Sequence, residues 1–353
     1  MRFLKYALLF IAVSAAMYIG AFVVLSRVKV KGMPLIFRTA DYYKPRGGIS
    51  WHRFQEFDPA VRHDVIIMGS SHAHRGYDPH VFEARGYSAF NLGSSSQSPM
   101  NSYYLIQAYL NSSNTGLLIM DVYDNNFIKD GLESTSDLTQ NVPGAAVAIR
   151  MAWGLRDLRA LNMLTLRFTN PNMGDYYEDL DYHGLGYAYN TDSVKKAEGI
   201  YNDTTIQISP MQRRYFAQCV ELCRERGIRM VVSSHYGRAA WNRTRHAKFA
   251  AFIDSTLAGT GIPYIDYTFE PGIDDLNNFA DLSHLNDAGA QIFTGHLVDS
   301  LGSLGYLRKP CLLYTSDAAD ERSSVDLGGR RIIKKKKRKA KEDLQTTGYE
   351  TCR

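Results

Sequence analysis

DVIIMGSSHAHRGYDPHVFEARGYSAFNLG, residues 64–93, sets two short apolar runs on either side of a helical stretch, and its reading decides the fold. DVIIM (64–68) and SAFNL (88–92) are continuous rather than alternating in polarity, as strands covered on both faces are. The stretch between them, 79–85, reads as a helix. Further along, GLLIMDVY (116–123), IRMVVSS (228–234) and IPYIDY (262–267) are three more such runs. Helical patterns at 99–111, 211–226, 248–257 and 286–304 separate or follow them. Repeated strand and helix alternation implies a parallel sheet with right-handed crossovers. Five strands suit a flavodoxin-like three-layer α/β/α domain, expected over 64–308.

Residues 124–205 break the alternation. They hold a helical stretch at 144–164 and then the Tyr-, Asn- and Gly-rich DYYEDLDYHGLGYAYN (175–190), which reads as an insertion after the third strand. Ligands of open α/β sheets bind beyond the carboxyl ends of the strands. An insertion leaving that edge is either a lid or substrate wall, or a surface excursion.

Before the domain, residues 7–25 are nineteen consecutive positions without a charge, bounded by Arg2 and Lys5 on one side and Arg27, Lys29 and Lys31 on the other. That length fits a spanning helix of about 20 residues better than the apolar run of about 7–15 in a cleaved signal. Residues 1–27 are therefore expected to anchor the chain in a lipid bilayer, with 28–63 as a lead-in. Positive charge on both flanks leaves the positive-inside rule indecisive.

At the other end, CLLYTSDAADE and SVDLGGRRII resemble a sequencing adaptor read in one frame, so 309–353 is expected to be an artefactual tail. The formal charge of +5 is largely that tail's: from Cys311 onward there are eleven Lys/Arg and seven Asp/Glu, leaving 30 against 29 in the remainder. Nothing is left that favours a nucleic-acid partner. Of the four cysteines, Cys219 and Cys223 lie outside the tail, four apart on one helical face, and read as small buried residues. No metal-ligand constellation appears, and no cofactor is expected.

Chemistry gathers at two places. The first strand ends in Gly69-Ser70-Ser71-His72, which puts a serine at a strand-to-helix junction, where helix amides can stabilise an oxyanion. A helix N-cap is the other reading of such a serine. More than two hundred residues later, Asp281-Leu-Ser-His284 stands just before the last helix, at the same expected sheet edge. A serine nucleophile needs an imidazole base, and that base needs a carboxylate to orient it. His72, His74 and His235 also lie near this edge as candidate substrate-binding residues.

Together these segments resemble the SGNH (GDSL-like) hydrolase superfamily in motif, order and topology. Its first block, usually Gly-Asp-Ser, is similar to Gly69-Ser70-Ser71, and its last, Asp-x-x-His, to Asp281-Leu-Ser-His284. Its second, Asn-x-Gly, is similar to Asn91-Leu-Gly93. The resemblance implies a serine esterase, lipase or acyltransferase with the triad Ser71, His284 and Asp281 and with the amides of Ser71 and Gly93 in the oxyanion hole. Two features depart from the pattern. Ser70 replaces the usual aspartate, as in anchored envelope relatives of the teichoic-acid D-alanyl-transfer and alginate O-acetylation type. The Gly-x-Asn block after strand three is missing, with Asn125 as the substitute donor. What the resemblance implies overall is a single-pass protein of the bacterial cytoplasmic membrane. Its catalytic domain would lie on the periplasmic side and act on acyl esters of an envelope glycan or lipid. A catalytically silent scaffold binding envelope polysaccharide or an assembly partner is the alternative.

Overall fold

A computed structural model describes residues 2–169, 181–194 and 203–307. The uncharged N-terminal stretch lies in α1 (Arg2–Arg27), a single helix long and apolar enough to be a candidate membrane span. A two-residue antiparallel pair, Lys29–Val30 with Met33–Pro34, and α2 (Gly48–Glu56) lead into the domain.

The domain begins with β1 (His63–Met68), followed by α3 (Ser71–Gly76), α4 (Pro79–Ala84), β2 (Ala89–Asn91), α5 (Pro99–Tyr109) and β3 (Thr115–Asp121). Then come α6 (Asp124–Ile128), α7 (Leu132–Asn141), α8 (Ala145–Leu155), α9 (Leu158–Thr169) and α10 (Pro210–Glu225). The chain closes with β4 (Met230–Ser234), α11 (Arg243–Leu257), β5 (Tyr264–Asp266) and α12 (Asp287–Ser303). The five strands form one wholly parallel sheet in the order β2-β1-β3-β4-β5.

Successive strand side chains point to opposite faces, and here they divide between two cores. Val65, Ile67, Leu117, Ile119 and Val231 pack with Ala73, Phe82, Phe293 and Leu297 of α3, α4 and α12. Ile66, Met68, Leu118, Met120 and Val232 pack with Leu105, Phe216 and Phe249 of α5, α10 and α11. Both faces being covered explains the continuous apolar runs. Each such side chain contributes on the order of 1.5–3 kcal/mol by burial.

The five expected strands are all present, within two residues of their expected starts and ends. Among the helices, α11 starts at Arg243 rather than 248, because the Asn242 side chain accepts the Arg245 N–H at 2.9 Å and caps it there. The helix expected at 144–164 is two, α8 and α9, divided at Arg156, whose φ of 56° ends α8. The first six residues of DYYEDLDYHGLGYAYN, 175–180, and the tail from 308 on lie outside the described residues. Cys219 and Cys223 are buried in α10, and burial pushes the Cys223 thiol up to about 12.

The order 2-1-3 means that the chain leaves β1 toward one edge of the sheet and returns on the other side for β3. A crevice opens at the carboxyl ends of strands at such a reversal. Ser71 follows β1 directly, and residues 122–125 follow β3, so both flank the reversal.

Candidate active site

At the β1–α3 junction the backbone is crowded. A Cβ on Gly69 would lie 2.7 Å from the Asp121 Cβ and 3.0 Å from the Ala73 Cβ. One on Gly93 would lie 2.7 Å from the same Ala73 Cβ. The two glycines let the ends of β1 and β2 close around the first turn of α3. Asn91 fastens that turn: its Nδ2 donates to the carbonyls of Ala73 (2.8 Å) and Tyr77 (2.9 Å). Ser70 caps the helix, its Oγ accepting the His72 N–H at 3.2 Å. With Ser70 in the capping position, Ser71 is left as the first helical residue and is partly exposed.

His284 meets it from the far end of the chain. Its Nε2 lies 2.7 Å from the Ser71 Oγ and its Nδ1 2.7 Å from the Asp281 Oδ2. The other Asp281 oxygen accepts the backbone N–H groups of Ser283 and His284, each at 2.8 Å, so the loop turns tightly around its own carboxylate. Burial works to raise the pKa of Asp281, but the hydrogen bond and charge of His284 and the two backbone donors outweigh it. They hold the carboxyl well below the usual carboxylate range. Asn286 fixes the end of the loop, its Oδ1 accepting the Gly289 N–H at 3.0 Å to cap α12.

The three expected oxyanion donors fare differently. The Ser71 N–H has no acceptor among the described residues. The Gly93 N–H donates to the Asn91 Oδ1 at 2.9 Å. Asn125 donates through Nδ2 to the Tyr123 hydroxyl at 2.7 Å, and its Oδ1 accepts from Arg245 at 3.1 Å. The Gly93 N–H is thus taken by Asn91, whereas Asn125 gives only one of its two Nδ2 hydrogens to Tyr123. The spacing that sets Gly93 two residues after Asn91 also lets the asparagine side chain reach it.

The histidines divide as well. His72 is buried, its ring 3.8 Å from the Tyr123 ring, 4.4 Å from that of His235 and 5.0 Å, edge-on, from that of His284. Burial, and then the neighbouring His235 and His284, hold its basicity well below that of free imidazole. His235 is lowered to about 4, chiefly by burial. Its Nδ1 lies 2.5 Å from the Tyr236 carbonyl, which assigns the proton to Nδ1 and leaves Nε2 an acceptor without a partner among the described residues. His74 is also buried and is not in the lining of the cavity that His72 and His235 share; its carbonyl accepts from Ala188 at 2.8 Å.

A cavity of about 210 Å³ lies beside His72, with Tyr123, His235, Trp241 and Arg245 also in its lining, which includes none of Ser71, Asp281 and His284. Trp241 and Tyr123 stand 5.5 Å apart between ring centres. Arg245 reaches Asp124 at 2.5 Å. Asp124, Asn125 and Asp203 complete one side, so both ends of the insertion supply a wall of the cavity. Of the lining, Trp241, Arg245 and Tyr123 went unread in the sequence, although all three follow strands at the carboxyl edge.

The fold and this geometry can be set beside known proteins. No protein-family model matches the chain, and no curated protein does. The chain is similar to several solved structures. One, described as an acylhydrolase, from Bacteroides fragilis, is 13% identical over 68% of this chain and 86% of its own, with a TM-score of 0.35. A lipolytic protein of the G-D-S-L family from Desulfitobacterium hafniense is 12% identical over 67% and 98%, with a TM-score of 0.36. A GDSL-like lipase from Bacteroides thetaiotaomicron is 13% identical over 68% and 88%, with a TM-score of 0.35.

Proposed function

We propose that this chain is a membrane-anchored serine hydrolase or O-acyltransferase of the SGNH type, working on ester-linked acyl groups of a cell-envelope glycan or lipid. The observation that carries the reading is the unbroken series of hydrogen bonds Ser71–His284–Asp281 at the carboxyl edge of a parallel sheet. In this reading His284 takes the Ser71 proton as the hydroxyl attacks the ester carbonyl. It then gives that proton to the departing alcohol. Asp281 holds the imidazole with Nε2 toward the serine and balances the imidazolium that forms. The Ser71 amide donates to the oxyanion. Water or a sugar hydroxyl then takes the acyl group from Ser71, with His284 as base. His72 and His235 remain neutral neighbours, so neither opposes the charge on His284. Through α1 the enzyme would be confined beside its substrate, with the domain on the extracytoplasmic face.

Turnover of a short-chain aryl ester tests this. Ser71→Ala and His284→Ala are each expected to lower kcat/KM by roughly 1,000-fold or more, and the double variant to lose little beyond either single. An unchanged rate in Ser71→Ala would contradict it. The engaged Gly93 N–H favours one second reading, a catalytically silent scaffold that binds envelope polysaccharide. It predicts no turnover and glycan binding that survives both substitutions.

A further inference from the structure

Three imidazoles line the cavity beside His72, and none has both of its nitrogens hydrogen-bonded among the described residues. His235 spends Nδ1 on the Tyr236 carbonyl, which leaves its buried Nε2 an acceptor without a partner. His246, in the first turn of α11, is oriented by a carboxylate of its own: its Nε2 lies 2.6 Å from the Asp266 Oδ2, while the Asp266 Oδ1 accepts the Thr268 N–H at 3.0 Å. With the proton of the neutral ring held toward Asp266, Nδ1 is a second acceptor, and it too has no partner among the described residues. His72 is buried, and neither of its ring nitrogens is hydrogen-bonded there.

The rest of the lining narrows the ligand. Trp241 and Tyr123 supply two broad ring faces, and Trp241 is fixed by its Nε1, which donates to the Leu282 carbonyl inside the Asp281–His284 loop at 3.3 Å. Arg245 spends its guanidinium on Asp124, Asp203, Asn125 and the Thr205 carbonyl. An anionic ligand would therefore face the Asp124 and Asp203 carboxylates with that cation already taken. An acyl chain would leave the imidazole acceptors buried and unpaired, at a cost in affinity. A ring bearing hydroxyls meets both demands, its O–H groups donating to the nitrogens and its faces packing on the aromatic side chains. The cavity, about 210 Å³, is smaller than the roughly 300–1,000 Å³ of a drug-sized site, which suits a single ring.

We propose that this cavity binds an uncharged sugar ring, with His235 Nε2 and His246 Nδ1 each accepting a hydrogen bond from one of its hydroxyls. His72 links the cavity to the triad, its ring meeting that of His284 edge-on at 5.0 Å between centres. The substrate thereby gains an uncharged glycan portion, selected by His235, His246 and Trp241. The part this site plays in acyl chemistry rests on the reading of Ser71 as nucleophile; the binding itself does not.

Saturation-transfer NMR on the full chain in detergent, carrying Ser71→Ala, tests the binding without turnover. The probes are the methyl glycosides of glucose, galactose, mannose and N-acetylglucosamine, together with methyl glucuronoside. Monodeoxyfluoro analogues of the neutral glycoside that binds complete the set, because fluorine cannot donate a hydrogen bond. A neutral glycoside is expected to bind roughly tenfold or more tightly than the glucuronoside. Exchanging its hydroxyls for fluorine one at a time is expected to weaken binding about tenfold or more at two positions, one loss disappearing in His235→Phe and the other in His246→Phe. The fluorine series needs neither histidine variant, so it decides the point where one fails to fold. Absence of neutral-glycoside binding, preference for the glucuronoside, no position sensitive to fluorine, or fluorine losses that persist in both variants overturns the site. Equal ester turnover with and without Ser71→Ala overturns the acyl reading and leaves the sugar site standing.

Discussion

Asp121 closes β3 beside the proposed nucleophile, its Oδ1 accepting the Tyr77 hydroxyl at 2.9 Å. Burial pushes the carboxyl up to about 7, against the hydrogen bonds from Tyr77 and the Ser70 backbone. A group that holds its proton more tightly in the folded state than in the unfolded one, near 3.9, binds more protons when folded between those values. Stability is therefore lost as pH rises through that window. Asp121→Asn removes this titration, so its stability relative to wild type is expected to rise between about pH 5 and about pH 8 in denaturant unfolding. An equal difference at both values would contradict it. Legibility at this scale followed how specific the pairing is. Ser71, His284 and Asp281 could be read because each needs the other two. The state of the Gly93 N–H could not be read, because the sequence does not show that the Asn91 side chain takes its hydrogen bond.

Among the elements, β2 is the edge of the sheet and only three residues long. Its outer side is closed by the described part of the insertion: the Asn91 N–H donates to the Leu185 carbonyl at 2.8 Å, and Arg53 bridges the carbonyls of Asn91 and Gly186, each at 3.1 Å. An unpaired edge is thereby covered. Gly186 has φ of 79°, and a Cβ there would fall 1.8 Å from the Asn91 carbonyl oxygen. Gly186→Ala is expected to cost about 2 kcal/mol or more in unfolding free energy of the full chain in detergent. A loss below about 0.5 kcal/mol would show that the loop does not brace the edge.

The strands and outer helices were legible because their faces are apolar, but α7 was not. Its sequence LESTSDLTQN has almost no apolar period, yet Ser134, Thr135, Ser136, Thr139, Gln140 and Asn141 are buried. Partners distant in sequence satisfy several of them, among them Asn101 on Thr135 at 2.8 Å and the Met163 carbonyl on Gln140 at 2.9 Å. Periodicity of hydrophobic residues cannot reveal a helix buried through its polar groups.

In the molecule as a whole, the order β2-β1-β3-β4-β5 draws the two ends of the domain together. The reversal beside β1 sets Ser71 at the crevice, and the α12 lead-in returns Asp281 and His284 to it across 213 residues. Alternation of strand and helix made the three-layer architecture readable. How the insertion would fold was not, since its parts pack on the sheet edge, on α1 and around the cavity instead of on one another alone. The most direct measurement is fluorophosphonate labelling of the full chain, with the modified residue mapped by mass spectrometry. The prediction is a single adduct on Ser71, absent from His284→Ala and leaving Ser70 untouched. Labelling of another serine, or equal labelling of Ser71 when His284 is gone, would contradict a nucleophile activated by that imidazole.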